Sequence, residues 1–424
     1  MKTTDNIAFN RLVGEKTTNQ KHKFAVGGTI RFLLLFLLIC SSCNRKKQAN
    51  VIETVRRETF VENSFMYYPI KDNQITVDLN KPQKASLFDY FKHIELIPLE
   101  TNDDVLIANL AKILYFQNRF YIVEQPQDIV LVFDEKGKFV YKVKKRGQGP
   151  GQMPSYLWGM AINSFSGDFD LYCNIMIARY DSSWNHIKTN LIIDTILGIH
   201  TVYDVVPLTE RINVLFTNFG GDYKIVYYDM DENKTIRQDY YETRSVSGLF
   251  NGKYVFYEYN RQWFYYRSYD NVTYLVDSTS LTKAYTWDFG KLNYDIRKMD
   301  TPDRKAPYSI KFDYLESMFP YRFSLQGQNH QYVIARIALR NEKFATLIYD
   351  KSIDDCKYIN SFSEAVDFVP IIVTNEYVLS WCRHGALGKH VTEEMLDESN
   401  RQKLRDLMNS KEEENPIILK YYFK

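Results

Sequence analysis

The chain has 424 residues, 45% hydrophobic and 25% charged, enough apolar material to bury a large core and too much for a disordered chain. A formal charge of +2 gives no argument for nucleic acid, which needs a strong basic surplus. With 33 Tyr and 27 Phe the composition suits strands better than helices.

The N-terminal residues 1–47 stand apart. Lys16, Lys21, Lys23 and Arg31 precede a short apolar run, 32–40, far below the ~20 residues that span a bilayer as a helix. This pattern predicts a secretory signal with a long basic region. Ser41-Ser42-Cys43 at its end resembles the lipobox of bacterial lipoproteins. That resemblance implies cleavage after residue 42, a lipid on the Cys43 sulfur, and a membrane partner through this anchor. An ordinary signal peptide cut near the same place is the alternative. Residues 43–74 then form the lipidated cysteine and a polar tether, and 75–424 the folded domain. The remaining Cys173, Cys356 and Cys382 are odd in number and lack a CxxC spacing. They predict core packing, with no disulfide framework and no cysteine zinc site.

From Ile75 the chain is structured: 75–79 reads as a strand, 87–91 as a helical turn, and 94–99 alternates in period two. At 129–139 stands the phrase I-V-L-V-F-D-E-K-G-K-F, an apolar strand, an aspartate, a polar turn and a second strand. It returns as R-Y-D at Asp181, Y-Y-D at Asp229, L-V-D at Asp277 and I-Y-D at Asp350, and Y-F-K closes the chain at Lys424. The first three steps are 47, 48 and 48 residues. Four strands of about 5 to 6 residues with connections of about 4 to 6 occupy that period, so one repeat is one four-stranded antiparallel sheet. Such sheets repeated around an axis make an all-β propeller, and six anchors predict six blades.

The predicted strands are 110–116, 119–123, 129–133 and 139–143 in blade one, and 159–163, 169–173, 176–180 and 186–190 in blade two. Blade three takes 201–207, 211–217, 223–228 and 235–240, and blade four 247–250, 254–259, 273–276 and 284–289. Blade five takes 321–325, 332–337, 344–349 and 357–362. Blade six supplies only 368–373, 377–382 and 417–423. The segment 94–99 is its natural fourth strand, so both termini close the ring, with Pro98 at an outer edge where its missing N–H costs nothing. The last two steps lengthen to 73 and 74 residues. Their carriers are a basic, tyrosine-rich insertion at 291–320 and an insertion at 391–415 whose Met395, Leu396, Leu404 and Leu407 fit a helical stripe.

I-P-L-E-T at 97–101, V-F-D-E-K-G-K-F-V and R-G-Q-G-P-G at 146–151 resemble the six-bladed β-propeller lipoproteins of Gram-negative bacteria, distant relatives of the NHL-repeat propellers. The likeness runs from Ile94 to the C-terminus and is clearest in blade one. It departs at Gln152, where the family commonly has glutamate. It implies a fold and an envelope location, outer membrane first, facing the periplasm or the surface, but no general activity.

In an up-and-down blade, the connection from second to third strand and the connection to the next blade emerge on one side. The R-G-Q-G-P-G loop and both insertions therefore share a face, where binding residues concentrate. The candidate ligand-binding residues are Arg146, Gln148, Tyr156, Trp158, Arg304, Arg383 and His384. Gly147, Gly149 and Gly151 could offer N–H groups to an anion, although a tight turn needs the same glycines. Tyr156 and Trp158 could stack on a ring or pack. The aromatic run 263–266 reads as a platform for carbohydrate or as a buried strand. His384 and His390 near Glu393 and Glu394 make a weak zinc pattern. No nucleophile elbow, phosphate loop or paired-histidine motif is present. The expectation is a non-catalytic module, without cofactor or metal, binding a peptide, glycan or protein. A metal-dependent lyase or lactonase-type hydrolase working in the channel is the alternative.

Overall fold

Strand character changes with distance from the ring axis. The computed structural model describes residues 68–424 except 103–104, 174–175, 193–200, 218–221, 243–253, 296–297, 299–306, 308, 311–313, 315–317, 341–342 and 411–413. The predicted signal, Cys43, the tether up to residue 67, Arg304 and the predicted strand 247–250 lie outside the described residues.

Two strands precede the repeats, β1 (Gln74–Thr76) and β2 (Phe91–Pro98). Blade one is β3 (Leu110–Phe116), β4 (Arg119–Glu124), β5 (Ile129–Asp134) and β6 (Phe139–Lys144). Blade two is β7 (Gly159–Ile162), β8 (Phe169–Cys173), β9 (Met176–Tyr180) and β10 (His186–Leu191). Blade three is β11 (Val202–Pro207), β12 (Ile212–Thr217), β13 (Tyr223–Asp229) and β14 (Lys234–Tyr241). Blade four is β15 (Phe256–Tyr259), β16 (Gln262–Tyr266), β17 (Val272–Val276) and β18 (Leu281–Asp288). Blade five is β19 (Tyr321–Gln328), β20 (Tyr332–Leu339), β21 (Phe344–Asp350) and β22 (Asp355–Ile359). Blade six is β23 (Ile372–Val373), β24 (Tyr377–Cys382), β25 (Ile417–Phe423) and β2, hydrogen-bonded in the order β2-β25-β24-β23. These six antiparallel sheets form a six-bladed β-propeller, as expected.

Ring closure follows the predicted pairing, with Ile94 opposite Tyr421, Leu96 opposite Leu419 and Pro98 opposite Ile417. Middle strands such as β5 are buried along most of their length, whereas outer β6 alternates between exposed and covered positions. The reason is that a middle strand is sandwiched between neighbouring blades on both faces. Each of the six apolar clusters accordingly lies between two blades. One of them joins Ile97, Ile418 and Leu379 of blade six to Ile113, Phe120 and Leu131 of blade one.

Two expectations need correction, and one predicted strand takes a partner the sequence did not name. The predicted second strand of blade four, 254–259, is its first. The aromatic run lies in β16, the second, because Asn260 and Arg261 take positive φ (51° and 59°) and close a two-residue hairpin without the usual glycine. In blade six, the predicted strand 368–373 shortens to Ile372–Val373, where Pro370 offers no N–H to a ladder. The predicted strand 75–79 is β1, which pairs in parallel with β18 as a fifth strand of blade four.

After β1 the chain runs as a strap around the rim. Gln83 N–H donates to Tyr358 O (2.7 Å) and Ala85 bridges Phe362 on blade five, before β2 completes blade six. Helix α1 (Glu398–Asn409), capped by Asp397, buries Leu404 and Leu407. It covers β2 from outside: Leu96 N–H donates to Asn400 Oδ1 (3.0 Å) and Lys403 Nζ to Leu96 O (3.3 Å). The strap and helix protect the outer edges of blades four, five and six. Cys173 and Cys382 are buried, Cys356 half-buried, and all three are free thiols. Among the described residues no helix is long and apolar enough to cross a membrane.

Candidate functional site

The face carrying the blade-to-blade loops holds two separate groups of predicted residues. In the first, the Arg146 guanidinium pairs with buried Asp128 (2.5 Å) and stacks 4.5 Å from the centre of the Tyr156 ring, which is 58% exposed. Asp128 also accepts from Leu157 N–H (2.7 Å), so this cluster locks the loop from blade one to blade two. Trp158 packs edge-on against Tyr203 (4.8 Å) between two apolar clusters. Gln148 is exposed on the same loop.

The glycine loop is a closed turn. Gly147 N–H donates to Met153 O (3.0 Å) and Gly149 N–H to Gln152 Oε1 (2.8 Å). A Cβ on Gly147 would meet that same Oε1 at 2.0 Å. The Gln152 amide thus occupies the cradle that could have held an anion, and Gln152 is the position where the sequence departs from the lipoprotein pattern.

The second group lines a crevice with a volume near 650 Å³. One wall is the loop leading into blade one, with Ile107, Ala108 and Leu110, and the other is the connection from β24 to β25, with Arg383, His384, Met408 and Glu414. Trp381 and Pro416 complete the lining. His384 Nε2 stands 2.7 Å from Leu407 O, which fixes the ring between strand and helix. Asn415 holds the two walls together: its Oδ1 accepts from Ile107 N–H (2.7 Å), and its Nδ2 donates to Glu100 O and Val105 O (2.7 Å each).

Of the predicted residues, Arg383 and His384 meet in one crevice, while Arg146, Tyr156 and Trp158 form a structural cluster outside it. Trp381, Met408 and Glu414 were missed. Trp381 is the penultimate residue of β24, close before the long connection to β25, a signal the sequence carried, whereas Glu414 is hidden in a run of glutamates. The proposed histidine pattern does not converge. His390 Nδ1 stands 2.8 Å from Asp367 O, and Glu393 pairs with Arg405 (2.6 Å).

At the axis, Lys112 on the innermost strand of blade one pairs with Asp204 on that of blade three (2.6 Å). Tyr172 of blade two donates to the same carboxylate (3.2 Å), and burial beside Asp204 holds its hydroxyl far above the ordinary value, so it remains a donor. Tyr254 of blade four crosses to accept from Ile113 N–H of blade one (2.9 Å). The channel at this level is filled by the chain's own groups.

Among known families, the one described as Domain of unknown function (DUF4934) matches residues 72–422. No curated protein sequence matches. Among solved structures, a candidate exported protein from Bacteroides fragilis is 15% identical, with a TM-score of 0.62 over 83% of this chain and 99% of that one. A member of the DUF4221 family from Bacteroides vulgatus is 12% identical, with a TM-score of 0.48 over 78% and 96%. PorZ, a surface component of the type-IX secretion system of Porphyromonas gingivalis, is 9% identical, with a TM-score of 0.36 over 63% and 29%. At these identities likeness shows the fold alone, and only the first is close enough in geometry to support it.

Proposed function

This chain belongs to the DUF4934 family, and on that premise we propose that it is a non-catalytic binding module of the cell envelope, held to a membrane by a lipid on Cys43. The reading rests on one contrast. The channel is filled by Lys112, Asp204, Tyr172 and Tyr254, while the loop-bearing face opens a crevice lined by Arg383, His384 and Trp381. Its ligand is a peptide, glycan or protein segment.

A screen of peptides and glycans against the wild type and a Trp381→Ala/Arg383→Ala variant tests the binding reading. Ligands that bind the wild type should be lost in the variant, and retention of every ligand would overturn it. Fatty-acid labelling in a Gram-negative host tests the anchor, with label expected on the wild type and absent from Cys43→Ser. An unlabelled wild type would refute the anchor without touching the crevice.

A further inference from the structure

Two opposite charges line the crevice without answering each other. Arg383 is exposed and Glu414 half-buried, and among the described residues no ion pair joins them. The other arginines of the insertion are engaged. Arg405 pairs with Glu393 (2.6 Å), and Arg401 with Glu398 (2.9 Å) while donating to Leu396 O (3.0 Å). Because Leu407 O can only accept, His384 Nε2–H is the donor to it. Between these polar groups lies an apolar floor of Ile107, Leu110, Trp381 and Pro416, with Met408 58% exposed at the rim. Nothing stands within 4 Å of where a Cβ on Gly385 would point, so that wall is open.

Each feature selects a chemical group. A guanidinium matches a carboxylate in a paired, charge-assisted geometry. A half-buried carboxylate matches an ammonium, and an indole beside a thioether matches an apolar side chain. We infer that the crevice takes a short peptide with free termini, its carboxylate on Arg383, its ammonium on Glu414 and an apolar side chain against Trp381 and Met408. A polyanion would meet Glu414, and a neutral glycan would cover two charges without pairing either, at a desolvation cost. A volume near 650 Å³ admits a peptide of two or three residues. The inference rests on the binding-face reading above and specifies its ligand.

Calorimetry of the full-length protein with the tripeptide Ala-Phe-Ala, in free, N-acetylated, C-amidated and doubly blocked forms, tests it. Each block should weaken binding by about tenfold or more. Arg383→Gln should erase the effect of amidation alone, and Glu414→Gln that of acetylation alone. Equal affinity for all four forms, or no binding by a protein with native circular dichroism, overturns the inference. In the second case a glycan that binds the wild type and is lost in Trp381→Ala would leave the binding face standing and remove only the peptide. Absence of any crevice-dependent ligand would remove both.

Discussion

Asp134, Asp181, Asp229, Asp277 and Asp350 recur because each caps the turn between third and fourth strands. Asp134 Oδ1 accepts from Lys136 N–H (2.9 Å) and Lys138 N–H (2.8 Å), Asp181 Oδ1 from Ser183 and Asn185 N–H, and Asp277 Oδ1 from Thr279 and Ser280 N–H. Blade six takes its fourth strand from β2, needs no such turn, and has Lys424 in that place. Hydrogen bonds led by that from the Thr279 hydroxyl hold the Asp277 carboxyl below its ordinary 3.8. Its contribution is therefore present above that pH and lost as pH falls through the lowered value. Urea midpoints should show Asp277→Asn less stable than wild type at pH 7, with the gap closing as pH falls below 3.8. The same sign, from the opposite cause, applies to Lys351, buried with Nζ on Gln328 Oε1 (2.9 Å) and Asn329 O (2.6 Å) and pushed down to about 7 by burial. Between about 7 and 10.5 the folded state holds it neutral while the unfolded state protonates it, so stability rises with pH across that window. Relative to Lys351→Met, the wild type should gain about 1.4 kcal/mol per pH unit there, and below that window the difference should level off. Parallel curves would refute the assignment.

At the scale of elements, closure is a three-part assembly of β25, β2 and α1, and Asn415 ties it to the first blade. Removing its amide leaves Ile107 N–H, Glu100 O and Val105 O without their partner, so Asn415→Ala should cost about 3 kcal/mol in denaturant unfolding. A loss below about 1 kcal/mol would mean that water replaces the amide. The role of β2 was legible because its alternation stood beside a blade one strand short. The strap was not, since three residues pairing in parallel with a blade 200 residues away leave no local pattern. The helix was legible as an apolar stripe, but a stripe does not name its partner. The sequence reading put the insertion over the loop-bearing face. On that face Arg383 and His384 before it and Met408 and Glu414 at its C-terminal end wall the crevice, while α1 also covers the outer edge of β2, whose N–H and C=O groups needed an occupant.

Across the whole molecule, the six blades are joined by apolar layers around the ring and by polar contacts over the axis. Lys112→Met would strand Asp204, 2% exposed, with an unanswered charge, and should cost about 3 to 5 kcal/mol. The double variant Lys112→Met/Asp204→Asn should recover much of that loss by removing the charge, and thermal unfolding of the pair checks it. The sequence by itself determined the number of blades, the strand order in all but blade four, and the pairing of the two termini. Period, alternation and turn chemistry act over a few residues and repeat, so they can be read along a chain. Only the tertiary structure decided that the glycine loop is filled by Gln152, that Lys112, Tyr172 and Asp204 meet across the axis, and that Arg383 and Glu414 face a common space. Those outcomes depend on which side chains meet across blades, and a contact between residues distant in the chain has no period to betray it.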